Sequence, residues 1–139
     1  MAKHFIGVVP REHVLYAVSQ GIAQTGHGKR AGLSRMKKGD WLIYYSPKVA
    51  MDSTEKLQAF TAIGQIADDE IYQVEMSPDF NPYRRKVNFK EAKEVPILLL
   101  IGKLDFITDK THWGYMFRLG LFEIPEKDFN TISELMLAK

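Results

Sequence analysis

The stretch His27–Lys48, HGKRAGLSRMKKGDWLIYYSPK, decides how this chain is read. Its second half is a strand: Trp41–Ser46 (WLIYYS) is aromatic and β-branched, Lys38-Gly39-Asp40 punctuates its start, and Pro47 follows it. Trp41, Ile43 and Tyr45 fall on one face of that strand, which makes Trp41 a core residue. Six Lys/Arg against one acid give the stretch +5, while the whole chain carries +2, so the remaining residues sum to −3. Lysine and arginine neutralise phosphates and flat rings stack on bases, so a basic run leading into aromatics has the composition of a nucleic-acid contact surface. A solvated basic turn before a buried strand accounts for the same composition equally well.

Working outward, Phe5–Val9 is a short strand stopped by Pro10. Arg11–Gln20 is an amphipathic helix with Val14, Leu15 and Val18 inward and Gly21 as C-cap. Thr25–Lys29 is a turn, and Leu33 with Met36 fits one helical turn facing the core. Downstream, Leu57–Ile66 and Ile71–Glu75 read as a hairpin across Asp68-Asp69-Glu70. Met76–Arg84 (MSPDFNPYR) is a loop that nevertheless holds Phe80 and Tyr83. Arg85–Phe89 and Leu121–Ile124 are strands, and Pro96 opens a short helix over Ile97–Leu100. Pro125 opens a C-terminal helix whose apolar face is Phe129, Ile132, Leu135 and Met136. About six strands against two good helices predict an α+β fold, a curved mixed sheet or small barrel with helices packed on it, in a single domain over residues 1–139.

Several chemistries are missing. With no cysteine there is no disulfide framework, thiolate nucleophile or zinc-thiolate site, and no apolar run is long enough to span a bilayer, so a cytoplasmic protein without membrane contact is expected. Gly26-His27-Gly28-Lys29 imitates the end of a phosphate-binding loop, but lysine and Ser/Thr do not stand where that loop needs them. The four histidines are dispersed, with none at helical i, i+4 spacing, so neither a metal nor a cofactor is expected.

Six segments in order, FIGVVPREHV (5–14), HGK (27–29), MKKGDWLIYYSPK (36–48), LQAFTAIGQI (57–66), YQVEMSPDFNPYRRKV (72–87) and WGYMFRLGLFEIP (113–125), resemble the EVE domain. That family is part of the PUA-like superfamily, with YTH and ASCH domains. The resemblance implies a PUA-like fold and a non-enzymatic reader of modified nucleobases, in particular modified cytosine or adenine in DNA, with nucleic acid as the partner. Such a reader accepts an unpaired base, sandwiches it between flat side chains and satisfies its edge by hydrogen bonds.

Carried over by position, the base pocket would consist of His27, Gly28 and Lys29 on one side and the loop rings Phe80 or Tyr83 on the other, with Tyr45 and Ser46 at the floor. YTH domains place a tryptophan where His27 stands. Arg30, Lys48, Arg84, Arg85 and Arg118 would hold phosphates. Two other readings stay open at this stage. An ASCH-like hydrolase of modified nucleosides would draw on Lys29 with Thr61 or Glu75. A protein-interaction module or homodimer would use the open sheet edges of small PUA-like domains.

Overall fold

β3 (Trp41–Lys48) is the spine of the sheet. β1 (His4–Val8) lies parallel to it on one side, with Ile6 opposite Ile43 and Gly7 opposite Tyr44. The parallel pair is joined through helix α1 (Arg11–Gln20), the two-residue strand β2 (Ile22–Ala23) and the single helical turn α2 (Arg30–Leu33). On its other side β3 pairs antiparallel with β4 (Lys56–Ile66), with a register shift between Tyr44 and Tyr45. The computed structural model describes residues 2–25 and 28–138.

β5 (Tyr72–Gln73), β6 (Tyr83–Phe89), β7 (Val95–Pro96) and β8 (Leu121–Ile124) complete one curled, open sheet. Its main path is β2-β6-β4-β3-β1-β8, with β5 on β6 and β7 on β4. Short 3₁₀ turns lie at Ile97–Leu99 and Tyr115–Leu119, and α3 (Glu126–Met136) closes the chain. The expected α+β architecture, a mixed curled sheet whose main path has six strands, with few helices, is therefore what forms.

Side-chain alternation along the strands separates two cores. One face buries Ile6, Ile43, Tyr45, Phe60 and Ile63 against Phe129, Ile132 and Met136 of α3, and Trp41 packs on it as expected. The other buries Phe5, Leu42, Tyr44 and Val87 against Val14 and Ala17 of α1 and against Leu33 and Met36. At the chain end, the buried Asp128 carboxylate accepts the backbone N–H groups of Asp105 (2.8 Å) and Phe106 (2.9 Å), tying α3 to the 97–107 segment.

Three local expectations are corrected. Ile71–Glu75 does not return as a hairpin on β4, because β6 occupies that edge: Gly64, Gln65 and Ile66 pair with Phe89, Asn88 and Val87, and only Tyr72–Gln73 pairs at all, with Arg84 and Tyr83 of β6. Gly64 permits this approach, since a Cβ there would lie 2.6 Å from Val87 Cγ1 and 2.9 Å from the Asn88 carbonyl. In α1 the inward pair is Val14 and Ala17, while Leu15 and Val18 are exposed, a rotation of the helix by one position. In α3 Leu135 is exposed, and Asp128 and Ser133 share the buried face instead.

Candidate functional site

Where β1 ends and α1 begins, the second core is incompletely filled and leaves a pocket of about 650 Å3. Tyr44 of β3 and Thr25 line it from the sheet side, Tyr16 and Ala17 from α1, and Gly28 with Phe80 from the turn and loop. Tyr16 and Phe80 are both partly exposed, at 42% and 37%, so two separate segments bring flat rings to one cavity. A largely apolar concavity with a few polar groups is the usual build of a small-ligand site.

The 76–82 loop is held by its own hydrogen bonds. Met76 N–H donates to the Phe80 carbonyl (3.0 Å), Phe80 N–H to Ser77 (3.1 Å), and Val74 N–H to Pro82 (3.1 Å). Its meeting with the turn after β2 depends on Gly28, which has φ +83° and whose Cβ would stand 2.6 Å from Pro82 Cβ and 3.0 Å from Phe80 Cε1. No side chain fits there, and the backbone conformation itself favours glycine. Gly28 and the aromatic loop thus approach closely; His27 lies outside the described residues.

The other aromatic assignments change. Tyr44 borders the pocket, whereas Tyr45 points to the opposite face and stacks on Phe117 with centroids 4.0 Å apart and planes 7° apart. Ser46 is fully buried, its hydroxyl is 2.8 Å from the Thr61 hydroxyl, and it is not among the pocket-lining residues. Tyr83 opens β6, pairs with Gln73 and packs on the second core, so Phe80 is the loop ring at the pocket. Burial pushes the Tyr44 phenol well above its ordinary pKa, partly offset by a backbone hydrogen bond from Gln24. Tyr44 therefore keeps its proton at neutral pH, as a hydrogen-bond donor.

The five predicted phosphate ligands divide. Arg85 is 2% exposed and donates to the carbonyls of Leu33 (3.0 Å), Met36 and Asp68 (2.5 Å); it pins α2 and the 67–70 turn to β6 and has no face left for phosphate. Arg84 is also buried. Its Nε donates to Gln24 Oε1 (2.6 Å) and its Nη2 to the Tyr16 hydroxyl (3.1 Å), so it braces two pocket-lining residues from behind. Arg30 and Arg118 are exposed, as is Lys29; Lys48 is half-buried and its ammonium donates to the Met51 carbonyl. Each of these four lies within three residues of a pocket-lining position, Gly28, Met51 or Gly120. None of Lys29, Thr61 and Glu75 lines the pocket, which leaves the hydrolase set unassembled.

Tyr16, Gln24, Thr25 and Tyr44 were not among the expected site residues. Thr25 carries one signal that only the fold displays: its buried hydroxyl has no hydrogen-bond partner among the described residues.

Sequence and structure comparisons agree with this fold. The family model described as "EVE domain" matches residues 4–135. A UPF0310 protein of Mycobacterium avium is 50% identical over 133 residues, covering 96% of each chain. Among solved structures, the YTH domain of Zygosaccharomyces rouxii MRB1 in complex with N6-methyladenosine RNA superposes with a TM-score of 0.60 at 14% identity, over 96% of this chain and 86% of that one. Rpa0253 from Rhodopseudomonas palustris gives 0.58 at 14% identity, over 96% and 92%. No helix among the described residues is long and apolar enough to cross a membrane.

Proposed function

The chain belongs to the EVE domain family, and on that premise we propose that it is a nucleic-acid-binding module that takes one unpaired base into the pocket beside Tyr44. The observation that carries this reading is the convergence of Tyr16 and Phe80, on separate elements, at a 650 Å3 cavity whose polar floor includes a protonated phenol. Rings of this kind stack on a base whatever its identity, and buried polar groups then select its edge. Lys29, Arg30, Lys48 and Arg118 flank lining residues in the chain and supply the cations that a strand's phosphates need. The base is a modified cytosine or adenine, in DNA, and His27 contributes a further flat group on the turn side.

Titration with modified and unmodified cytosine and adenine oligonucleotides at several salt concentrations tests this. The modified base is expected to bind more tightly than its parent, with affinity falling as salt rises. Undetectable binding to all of them would sink the proposal. His27→Ala is expected to weaken binding while leaving the melting temperature unchanged; equal loss of both would make His27 structural.

A further inference from the structure

The Phe106–Arg118 segment holds a feature that the base pocket does not use. A second cleft, of about 450 Å3, is lined by Phe106, Trp113, Tyr115 and Met116 together with Asp109 and His112. Phe106, Trp113 and Met116 pack against the filled core, but Tyr115 is 68% exposed. Its ring is therefore mostly open to solvent where it lines the cleft.

The 3₁₀ geometry of Tyr115–Leu119 explains its presentation. Residues three apart eclipse in such a turn, so Tyr115 and Arg118 share one ridge, with the guanidinium 5.9 Å from the ring centroid. Phe117 on the inner side anchors the turn through its stack on Tyr45. Among the described residues Arg118 has no acidic partner. Asp109 is the one acid lining the cleft, and its oxygens are occupied by the Thr111 and His112 N–H groups (2.9 and 3.2 Å) and the His112 ring (2.9 Å).

The same turn leads into the first pocket. It ends at Gly120, which lines that pocket and whose carbonyl accepts the Val8 N–H at 2.8 Å. Five residues at about 2 Å rise span roughly 10 Å, which sets how far the Tyr115 end of the turn stands from its pocket-lining end.

We propose that this cleft is a second nucleotide site: Tyr115 stacks a base that flanks the one in the pocket, and Arg118 takes an intervening phosphate. The inference rests on the base-pocket reading and adds a single-stranded segment of defined path to it. Stacking on one exposed ring, supported by a cation, is how sequence-tolerant single-strand contacts are built.

The test compares the full chain with Tyr115→Ala on two kinds of probe: the free nucleosides 5-methylcytidine and N6-methyladenosine, and short single-stranded oligonucleotides carrying one such base at the centre. Tyr115→Ala should weaken oligonucleotide binding about tenfold, the effect of one lost base stack, and leave nucleoside binding unchanged. Tyr115→Trp should retain oligonucleotide affinity, and abasic flanks should reproduce the loss in the unaltered chain. Equal oligonucleotide binding with and without Tyr115, or an equal loss on the nucleosides, would overturn the second site alone. Failure of every probe to bind would overturn the pocket reading, and the second site with it.

Discussion

Tyr44 and Tyr45 are neighbours on one strand, both almost fully buried, and they face opposite halves of the molecule. On the Tyr45 side the space is filled: Phe117 stacks on it at 4.0 Å and itself meets Phe122 (5.8 Å), Phe106 (6.0 Å) and Trp113 (6.3 Å). On the Tyr44 side the nearest ring, Phe89, is 6.2 Å away and a 650 Å3 cavity opens beside the phenol. Burial raises the pKa of both hydroxyls, so both stay protonated, but only one of them borders a space that a ligand can enter. The same residue type therefore serves packing on one face and chemistry on the other, and completeness of packing separates the roles.

The largest expected effect follows from that contrast. Phe117→Ala removes the ring on which the filled face converges and should cost about 3–5 kcal/mol, a fall in melting temperature of roughly 10 °C or more, with nucleoside binding by the folded protein unchanged. Tyr44→Phe should do the reverse: about 1 kcal/mol of stability at most, from the lost polar contact of the hydroxyl, but several-fold weaker nucleoside binding. Thermal melts and titrations on both variants check this. Tyr44→Phe destabilising as much as Phe117→Ala would erase the distinction between the faces.

How much of this was legible in the sequence depends on whether a local pattern or a neighbour decides. The aromatic strand and the Gly21 cap follow from turn chemistry and composition, whereas the pairing of the HGK turn with the Phe80 loop is what the resemblance to the EVE domain implies, and Gly28 does meet that loop. Choosing Tyr45 over Tyr44 failed because both faces of β3 are buried, and alternation assigns faces without saying which one is left unfilled. Tyr16 escaped notice because the true inward face of α1 is one position away from the apolar triplet Val14, Leu15 and Val18. The β6 insertion beside β4 rests on Gly64, and a glycine inside a strand marks a close approach without naming the partner.

Adjacent arginines on β6 sharpen the comparison at intermediate size. Arg85→Met strands the carbonyls of Leu33, Met36 and Asp68 without their donor and should cost about 2–3 kcal/mol, read by chemical denaturation. Arg84→Met should cost less stability, about 1 kcal/mol, but weaken nucleoside binding by releasing Gln24 and Tyr16. Salt dependence separates this bracing role from the phosphate role expected of Arg84. A brace leaves the slope of affinity against salt unchanged, whereas a phosphate ligand lowers it by about one when removed. A lowered slope in Arg84→Met would return Arg84 to the phosphate set.

The smallest effect belongs to the surface turn behind the filled face, where Asp109 caps the 111–112 backbone and pairs with the His112 ring. The His112 ring, then the His112 and Thr111 N–H groups, hold its carboxyl below the ordinary value. A carboxyl lowered in the folded state contributes stability that is in place above the unfolded pKa of about 3.9 and is lost as pH falls through the folded value. The melting-temperature difference between the unaltered chain and Asp109→Asn should therefore be constant near neutrality, shrink below about pH 4 and vanish in stronger acid. It should stay small throughout, because the carboxylate is exposed and screened by water. Nucleoside binding in the Tyr44 pocket should be indifferent to Asp109→Asn at neutral pH, since the hydrogen bonds of Asp109 among the described residues go to Thr111 and His112, neither of which lines that pocket. A loss of nucleoside affinity in that variant would mean that the two faces of the sheet are coupled, and that the filled side does more than support the open one.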